Sequence, residues 1–214
     1  MRHVRGTLVT WAAAGSSELV PGLRELAAQT GLKTAVLVEG VSDQVAIETL
    51  VARHDRNLDA EGTCLVPLGG ATSVGRFLRL LGPLGLNVRL AGLCDAAEQR
   101  YFRRGLERAG LGVDLRTADL EALGFFACVA DLEDELIRAL GTEAVEHVMA
   151  ARGDLKSFRI FQNQPAQRDR TISQQLHRFI GTTSGRKAQY ARALVDAVDL
   201  ERVPGPLARL LAYL

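Results

Sequence analysis

The apolar residues of this chain change period several times, and each change marks an element. Between residues 17 and 29, Leu19, Val20, Leu23, Leu26 and Ala27 recur at helical spacing, with Ser17 in the cap position and Gly31 as a stop signal. The run Thr34–Val38 is apolar and β-branched without polar alternation, the pattern of a strand buried on both faces of a parallel sheet. Ser42 then takes the N-cap position of a helix running to about Arg53, whose stripe is Val45, Ala46, Ile47, Leu50 and Val51. The same unit recurs. Residues 63–68 read as a strand, Gly69-Gly70-Ala71-Thr72 as a turn, and Val74, Phe77, Leu78 and Leu81 as the next helix. Residues 87–94 lead into Asp95 and a helix over about 96–109, and residues 125–129 lead into Asp131-Leu132-Glu133 and a helix to about Leu140. Strands alternating with helices at this spacing predict right-handed βαβ units and an α/β layered sheet. Beyond Thr142 only helical patterns follow, around 143–151, 171–180, 186–198 and 206–214.

Composition narrows the class. A chain of 214 residues with 47% hydrophobic and 24% charged residues suits one globular domain, or one with a small appendage, and excludes fibrous and disordered chains. Cys64, Cys94 and Cys128 each stand alone in an apolar run, with no C-x-x-C pair and no histidine at ligand spacing. They read as reduced, buried thiols of a cytoplasmic protein. The apolar run after Arg5 is broken by Gly15-Ser16-Ser17, so no signal peptide is expected, and no run is long enough to span a bilayer. None of the 4 histidines pairs with a nucleophile at a recognisable spacing, which leaves serine- and cysteine-hydrolase readings unsupported. His177 reads as a surface or helix-packing residue.

The chemistry lies at the strand ends. In parallel α/β sheets ligands bind beyond the carboxyl ends of the strands. The first strand delivers Glu39 and, one turn later, Asp43; the third delivers Asp95, with Glu98 close behind; the fourth delivers Asp131 and Glu133. The second delivers only Gly69, Gly70 and Thr72, a glycine turn lacking the lysine of a phosphate-binding loop. Any one such acid is explained by helix capping. Three strand ends of four carrying carboxylates are harder to explain that way, because converging acids repel unless they share a cation. All-oxygen ligands favour a hard ion such as Mg²⁺ or Mn²⁺, which serves phosphoryl chemistry.

Charge is segregated along the chain although the formal net charge is only +1. Residues 117–150 hold eight acids against one base, and residues 152–192 hold nine bases against two acids. Dense carboxylates suit cations and dense Lys/Arg suits phosphates, so Arg168, Arg170, Arg178 and Arg186 are candidate nucleic-acid contacts. The alternative is that the two blocks neutralise each other across a packing interface. Phe158, Phe161 and Tyr190 lie among the basic residues; their spacing fits core packing better than base stacking.

These residues carry a resemblance. Val36-Leu37-Val38-Glu39-Gly40-Val41-Ser42-Asp43 resembles the first motif of TOPRIM domains, and its V-E-G-x-S-D form is most similar to the OLD (overcoming lysogenisation defect) nuclease branch. Asp131-Leu132-Glu133 and the helix opening at Ser184-Gly185-Arg186-Lys187 also resemble OLD elements, so the likeness spans residues 35–197. It implies a TOPRIM-like, Rossmann-like, mostly parallel sheet with flanking helices and a helical C-terminal extension. The division that follows is an N-terminal helical segment at 1–34, an α/β core at 35–150, and a basic helical part at 151–214 integral to the same domain. The resemblance further implies a site for one or two Mg²⁺ or Mn²⁺ ions held by Glu39, Asp43, Asp95, Asp131 and Glu133, with Glu98 as a further candidate. Glu39 and Lys187 would be catalytic, Lys187 acting on the charge at the scissile phosphate. DNA is the implied substrate. The family's usual ABC-type ATPase is missing from these residues, so a separate ATPase and a second copy of the chain are the protein partners considered. One departure matters: where the family's D-x-D motif has a second aspartate, this chain has Ala97. A catalytically weak binding or regulatory module, and a primase or RNA-processing role, remain open beside the nuclease.

Overall fold

Four short apolar runs become the strands β1 (Thr34–Val38), β2 (Thr63–Pro67), β3 (Arg89–Asp95) and β4 (Phe125–Cys128). The computed structural model describes residues 2–14, 20–183 and 185–214. The strands form one sheet in the order β2-β1-β3-β4, every pair parallel. Val36 sits between Leu65 of β2 and Ala91 of β3, which fixes the register of the centre. Successive side chains of a strand point to opposite faces. Accordingly Val36, Val38, Leu65, Ala91, Leu93 and Phe126 feed one core, while Ala35, Leu37, Cys64, Val66, Leu90 and Phe125 feed the other. Burial on both faces is why these strands show no polar alternation.

Helices cover both faces. On the first lie α3 (Val41–Arg53), α7 (Leu132–Leu140), α8 (Thr142–Ala151), α9 (Leu155–Gln162), α10 (Ile172–Gly181), α11 (Arg186–Ala197) and α12 (Gly205–Tyr213). On the second lie α1 (Arg2–Ala14), α2 (Val20–Thr30), α4 (Val74–Leu81), α5 (Gln99–Arg108) and α6 (Thr117–Ala122). The C-terminal helices share the first core: α11 packs along α3, and the Arg53 guanidinium donates to the carbonyls of Val195 and Val198, both at 2.6 Å. Among the described residues no helix is long and apolar enough to cross a membrane, and all three cysteines are free and buried.

Several local expectations are corrected. The N-cap of α3 is Gly40, not Ser42; the Asp43 side chain accepts the Gly40 N–H at 2.8 Å and so supplies the cap from inside the helix. The helix after β3 begins at Gln99, because residues 96–98 form a turn. Two helices escaped the pattern. α6 has only six residues, too few to show a period, and the stripe of α9 rests on just two fully packed residues, Phe158 and Phe161. The Ser17 cap lies outside the described residues.

Candidate active site

The strand order reverses between β1 and β3, since the chain steps from β1 to β2 on one side and then crosses back to β3 on the other. Such a switch point leaves a crevice at the carboxyl ends, because the following helices depart to opposite faces. Glu39 leaves β1 at this crevice and Asp95 ends β3 beside it; the Asp95 N–H donates to Glu39 Oε1 at 2.8 Å. The turn after Asp95 brings Glu98 back toward Glu39, where Glu98 Oε2 is buried with no hydrogen-bond partner. From β4, Asp131 caps α7 by accepting the Asp134 N–H at 2.9 Å, and Glu133 lies in the first turn, only 2% exposed. The neighbouring acids have structural partners: Asp134 and Glu135 both pair with Arg138, at 2.9 and 2.8 Å.

These acids act on one another through their charges. Asp95 is pushed up to about 7 by burial and then by the charges of Asp131, Asp43, Glu98 and Glu133, which reach it from three strand ends. Glu39 is pushed up to about 8, first by burial and then by the adjoining Glu98 carboxyl, against the pull of the Asp95 N–H. Asp43 is raised to about 6, again chiefly by burial, with Glu133 adding to it and the Gly40 N–H and Lys187 opposing. The repulsion is the kind a cation relieves. Still, among the described residues no three acidic, histidine or cysteine side chains are gathered tightly enough to hold an ion as they stand. The hydrogen bonds give the reason: Glu39, Asp43 and Asp131 each turn an oxygen to a backbone N–H. The donor set nevertheless fits a hard divalent ion. It is all oxygen, and Glu98 Oε2 and Glu133 Oε1 are buried without a donor.

Two basic side chains come from the C-terminal helices. His177 Nε2 of α10 lies 2.6 Å from Asp131 Oδ2, and Lys187 Nζ of α11 lies 3.2 Å from Glu133 Oε2. His177, read as a surface or helix-packing residue, is partly exposed where α10 packs on α7, and its partner Asp131, 46 positions away, leaves no local signal in the sequence. Burial alone would raise Asp131, but the His177 hydrogen bond and the Asp134 N–H bring it below the ordinary range. The same bond to Asp131 raises His177. Burial would lower Lys187, but Glu133 outweighs it and the ammonium is raised. Ser184 of the second motif lies outside the described residues; Gly185 enters α11 with φ +78°, a conformation that favours glycine.

The other sequence candidates spread out. Arg186 is committed within the fold, donating to Phe179 O at 3.0 Å and Thr182 Oγ1 at 2.9 Å with its guanidinium over the Phe179 ring. Arg168, Arg170 and Arg178 are exposed and in no ion pair among the described residues. Phe158, Phe161 and Tyr190 are buried in the first core. The charge blocks do meet, through Lys187 with Glu133, His177 with Asp131 and Arg159 with Glu146. After β2, Gly69 and Gly70 turn with φ +69° and +119° and carry no side chain to the site.

Residues 32–96 match the family described as overcoming lysogenization defect protein-like, TOPRIM domain. The fold is similar to the C-terminal region of the Burkholderia pseudomallei OLD protein, with a TM-score of 0.64 and 21% identity over 85% of this chain and 96% of that one. It is likewise similar to the C-terminal region of the Xanthomonas campestris pv. campestris OLD protein, with a TM-score of 0.63 and 24% identity over 85% of this chain and 94% of that one. Among curated proteins none matches the sequence. Residues 32–96, which hold Glu39, Asp43 and Asp95, thus match the OLD-like TOPRIM family model, and the fold around them is that of an OLD C-terminal region.

Proposed function

We propose that this chain cleaves phosphodiester bonds of DNA with the help of Mg²⁺ or Mn²⁺. The observation that carries the reading is Asp95, whose carboxyl at the switch point feels four other carboxylates from the β1, β3 and β4 ends. Glu39, Asp43 and Asp95 would hold one ion, and Asp131 and Glu133 a second, with Glu98 and its unpartnered oxygen as a further donor. When bound, such an ion supplies positive charge to phosphate oxygens and acidifies an attacking water. The chain's own groups do the rest. Glu39 is positioned by the Asp95 N–H on one oxygen and lies against the Glu98 carboxyl, so the two acids would face a ligand together. Asp43 is held by the Gly40 N–H, which fixes its rotamer relative to Glu39. Lys187 Nζ, steered by Glu133, is the ammonium that meets the charge developing on the phosphate and its departing oxygen. His177 Nε2 holds Asp131 in place from the side of α10.

A second reading has its own observation. Ala97 stands where the family motif has an acid, and this favours a catalytically weak nucleic-acid-binding or regulatory module working with a separate ABC-type ATPase. Nicking of supercoiled plasmid in Mg²⁺, in Mn²⁺ and in chelator separates the two. The nuclease reading expects metal-dependent nicks that Glu39→Gln lowers by about 10²-fold or more, because the amide keeps the bond to Asp95 but loses the charge. Binding without nicking in either metal selects the second reading.

A further inference from the structure

A cavity of about 180 Å³ opens beside the turn that follows Asp95. Its wall includes Ala96, Ala97, Gln99, Arg100, Arg103 and Thr117. Arg100 and Arg103 are three residues apart on α5, so they share one side of the helix and face the same space. Neither is in an ion pair among the described residues. Arg100 rests on the Tyr101 ring at 4.9 Å and donates to the Tyr101 hydroxyl at 3.1 Å, which orients its guanidinium without neutralising it. The Arg103 side chain has no hydrogen-bond or charge partner among the described residues. Two unneutralised guanidinium groups lining a concavity whose wall begins at Ala96, next to Asp95, mark a place for an anion, and guanidinium geometry matches phosphate oxygens. The volume is many times what one water needs and leaves room for a phosphate with its ester oxygens.

Ala97 acquires a meaning here. An acid at this position would project a negative charge into or beside the cavity, whereas the methyl group leaves it open and uncharged. We propose that this cavity holds a backbone phosphate of the DNA strand adjoining the scissile one, with Arg100 and Arg103 as its cationic wall and Ala97 as the small residue that admits it. That the neighbouring phosphate is scissile rests on the nuclease reading; the phosphate subsite itself rests on the cavity and its arginines. It also assigns a direction, since the strand must run from the carboxylates over the β3–α5 turn.

Fluorescence anisotropy with a fluorescein-labelled DNA duplex and its single strand tests this, in Ca²⁺ over a salt series, with probe integrity checked on a gel. Arg103→Ala is expected to weaken binding about tenfold, the worth of one charge-assisted hydrogen bond. It should also reduce the slope of log affinity against log salt by about 0.9 on the duplex, the signature of one phosphate contact. Arg103→Lys keeps most of the slope. Arg108→Ala removes the same charge from the far end of α5 and is expected to change affinity less than twofold. Ala97→Asp should weaken binding as Arg103→Ala does while leaving the melting temperature in place. Equal effects of Arg103→Ala and Arg108→Ala, or wild-type affinity in Ala97→Asp, overturn the subsite, as does a wild-type chain that binds neither probe. A chain that never nicks plasmid but shows the Arg103 slope change loses the nuclease reading and keeps the subsite.

Discussion

Two sets of cations flank the same acidic strand ends, and they are in different states. On the α10–α11 side, His177 and Lys187 are already held by Asp131 and Glu133. On the α5 side, Arg100 and Arg103 face a cavity with no acid in an ion pair with them. A cation paired inside the fold sets geometry, since its charge is largely spent on its partner. A cation left unpaired at a concave surface has its charge available for a ligand. On the proposals above, α5 would be the recruiting side and α10–α11 the side that positions the acids, with Lys187 facing the phosphate as well as Glu133.

The sharpest way to break this comparison is Lys187→Met. If Lys187 acts on the phosphate as well as on Glu133, cleavage falls by about 10²–10³-fold, as when one stabilising donor is lost from a transition state. The same change leaves Glu133, 2% exposed, with both oxygens unpartnered, so the melting temperature should also drop. Adding Glu133→Gln to Lys187→Met restores melting but not cleavage. Recovery of cleavage in the double variant would show that Lys187 does nothing beyond neutralising Glu133.

A smaller effect is expected from pH. Glu39, Asp95 and Asp43, raised to about 8, 7 and 6, hold protons in the fold that an unfolded carboxylate gives up near pH 4. A raised group contributes its stability fully below the unfolded value and loses it as pH rises through the folded value. In chelator, melting is therefore expected to be lower at pH 8.5 than at pH 5.5, by about 5 °C, and Mg²⁺ or Mn²⁺ should close the gap. A flat profile in chelator would mean that the acids are not sharing one field.

His177→Gln should have the smallest effect and a profile of a different shape. Asp131 is lowered, so its contribution is present above the unfolded carboxylate value; His177 is raised, so its contribution is present below the unfolded imidazole value. The pair is at full strength between about pH 4 and 6.5 and fades as pH rises through the raised value of His177. The imidazole is more than a third exposed, so screening limits the pair to about 1 kcal/mol, or roughly 2–4 °C of melting. A wild-type minus variant difference that does not shrink between pH 6 and pH 9 would assign His177 to packing.

How much of this was legible depends on the distance over which each signal acts. The βα alternation was readable because a strand buried on both faces must be apolar throughout, and Thr34–Val38 is. Glu39, Asp43, Asp95, Asp131 and Glu133 were readable as candidates because each follows a strand within a few residues. The cap of α3 was misplaced by a residue type: Ser42 has the right chemistry, but the Asp43 carboxylate reaches back to the Gly40 N–H and serves instead. The pattern starts the next helix at about 96, whereas residues 96–98 form a turn, and this turn sets the Glu98 carboxyl near Glu39.

The amino-acid sequence by itself determined the kind of sheet, the strand ends that carry acids and the segregation of charge, because each is a property of neighbours along the chain. Only the tertiary structure decided the partners. The bonds from His177 to Asp131 and from Lys187 to Glu133 join positions 46 and 54 apart. The sheet order puts β1 beside β3 rather than leaving them two strands apart, which is what brings Glu39 to Asp95. Whether a charge is spent or free is a question of what lies within a few ångströms in space, and for Lys187 and Arg103 that neighbourhood was set by how helices α5, α10 and α11 came down on the sheet.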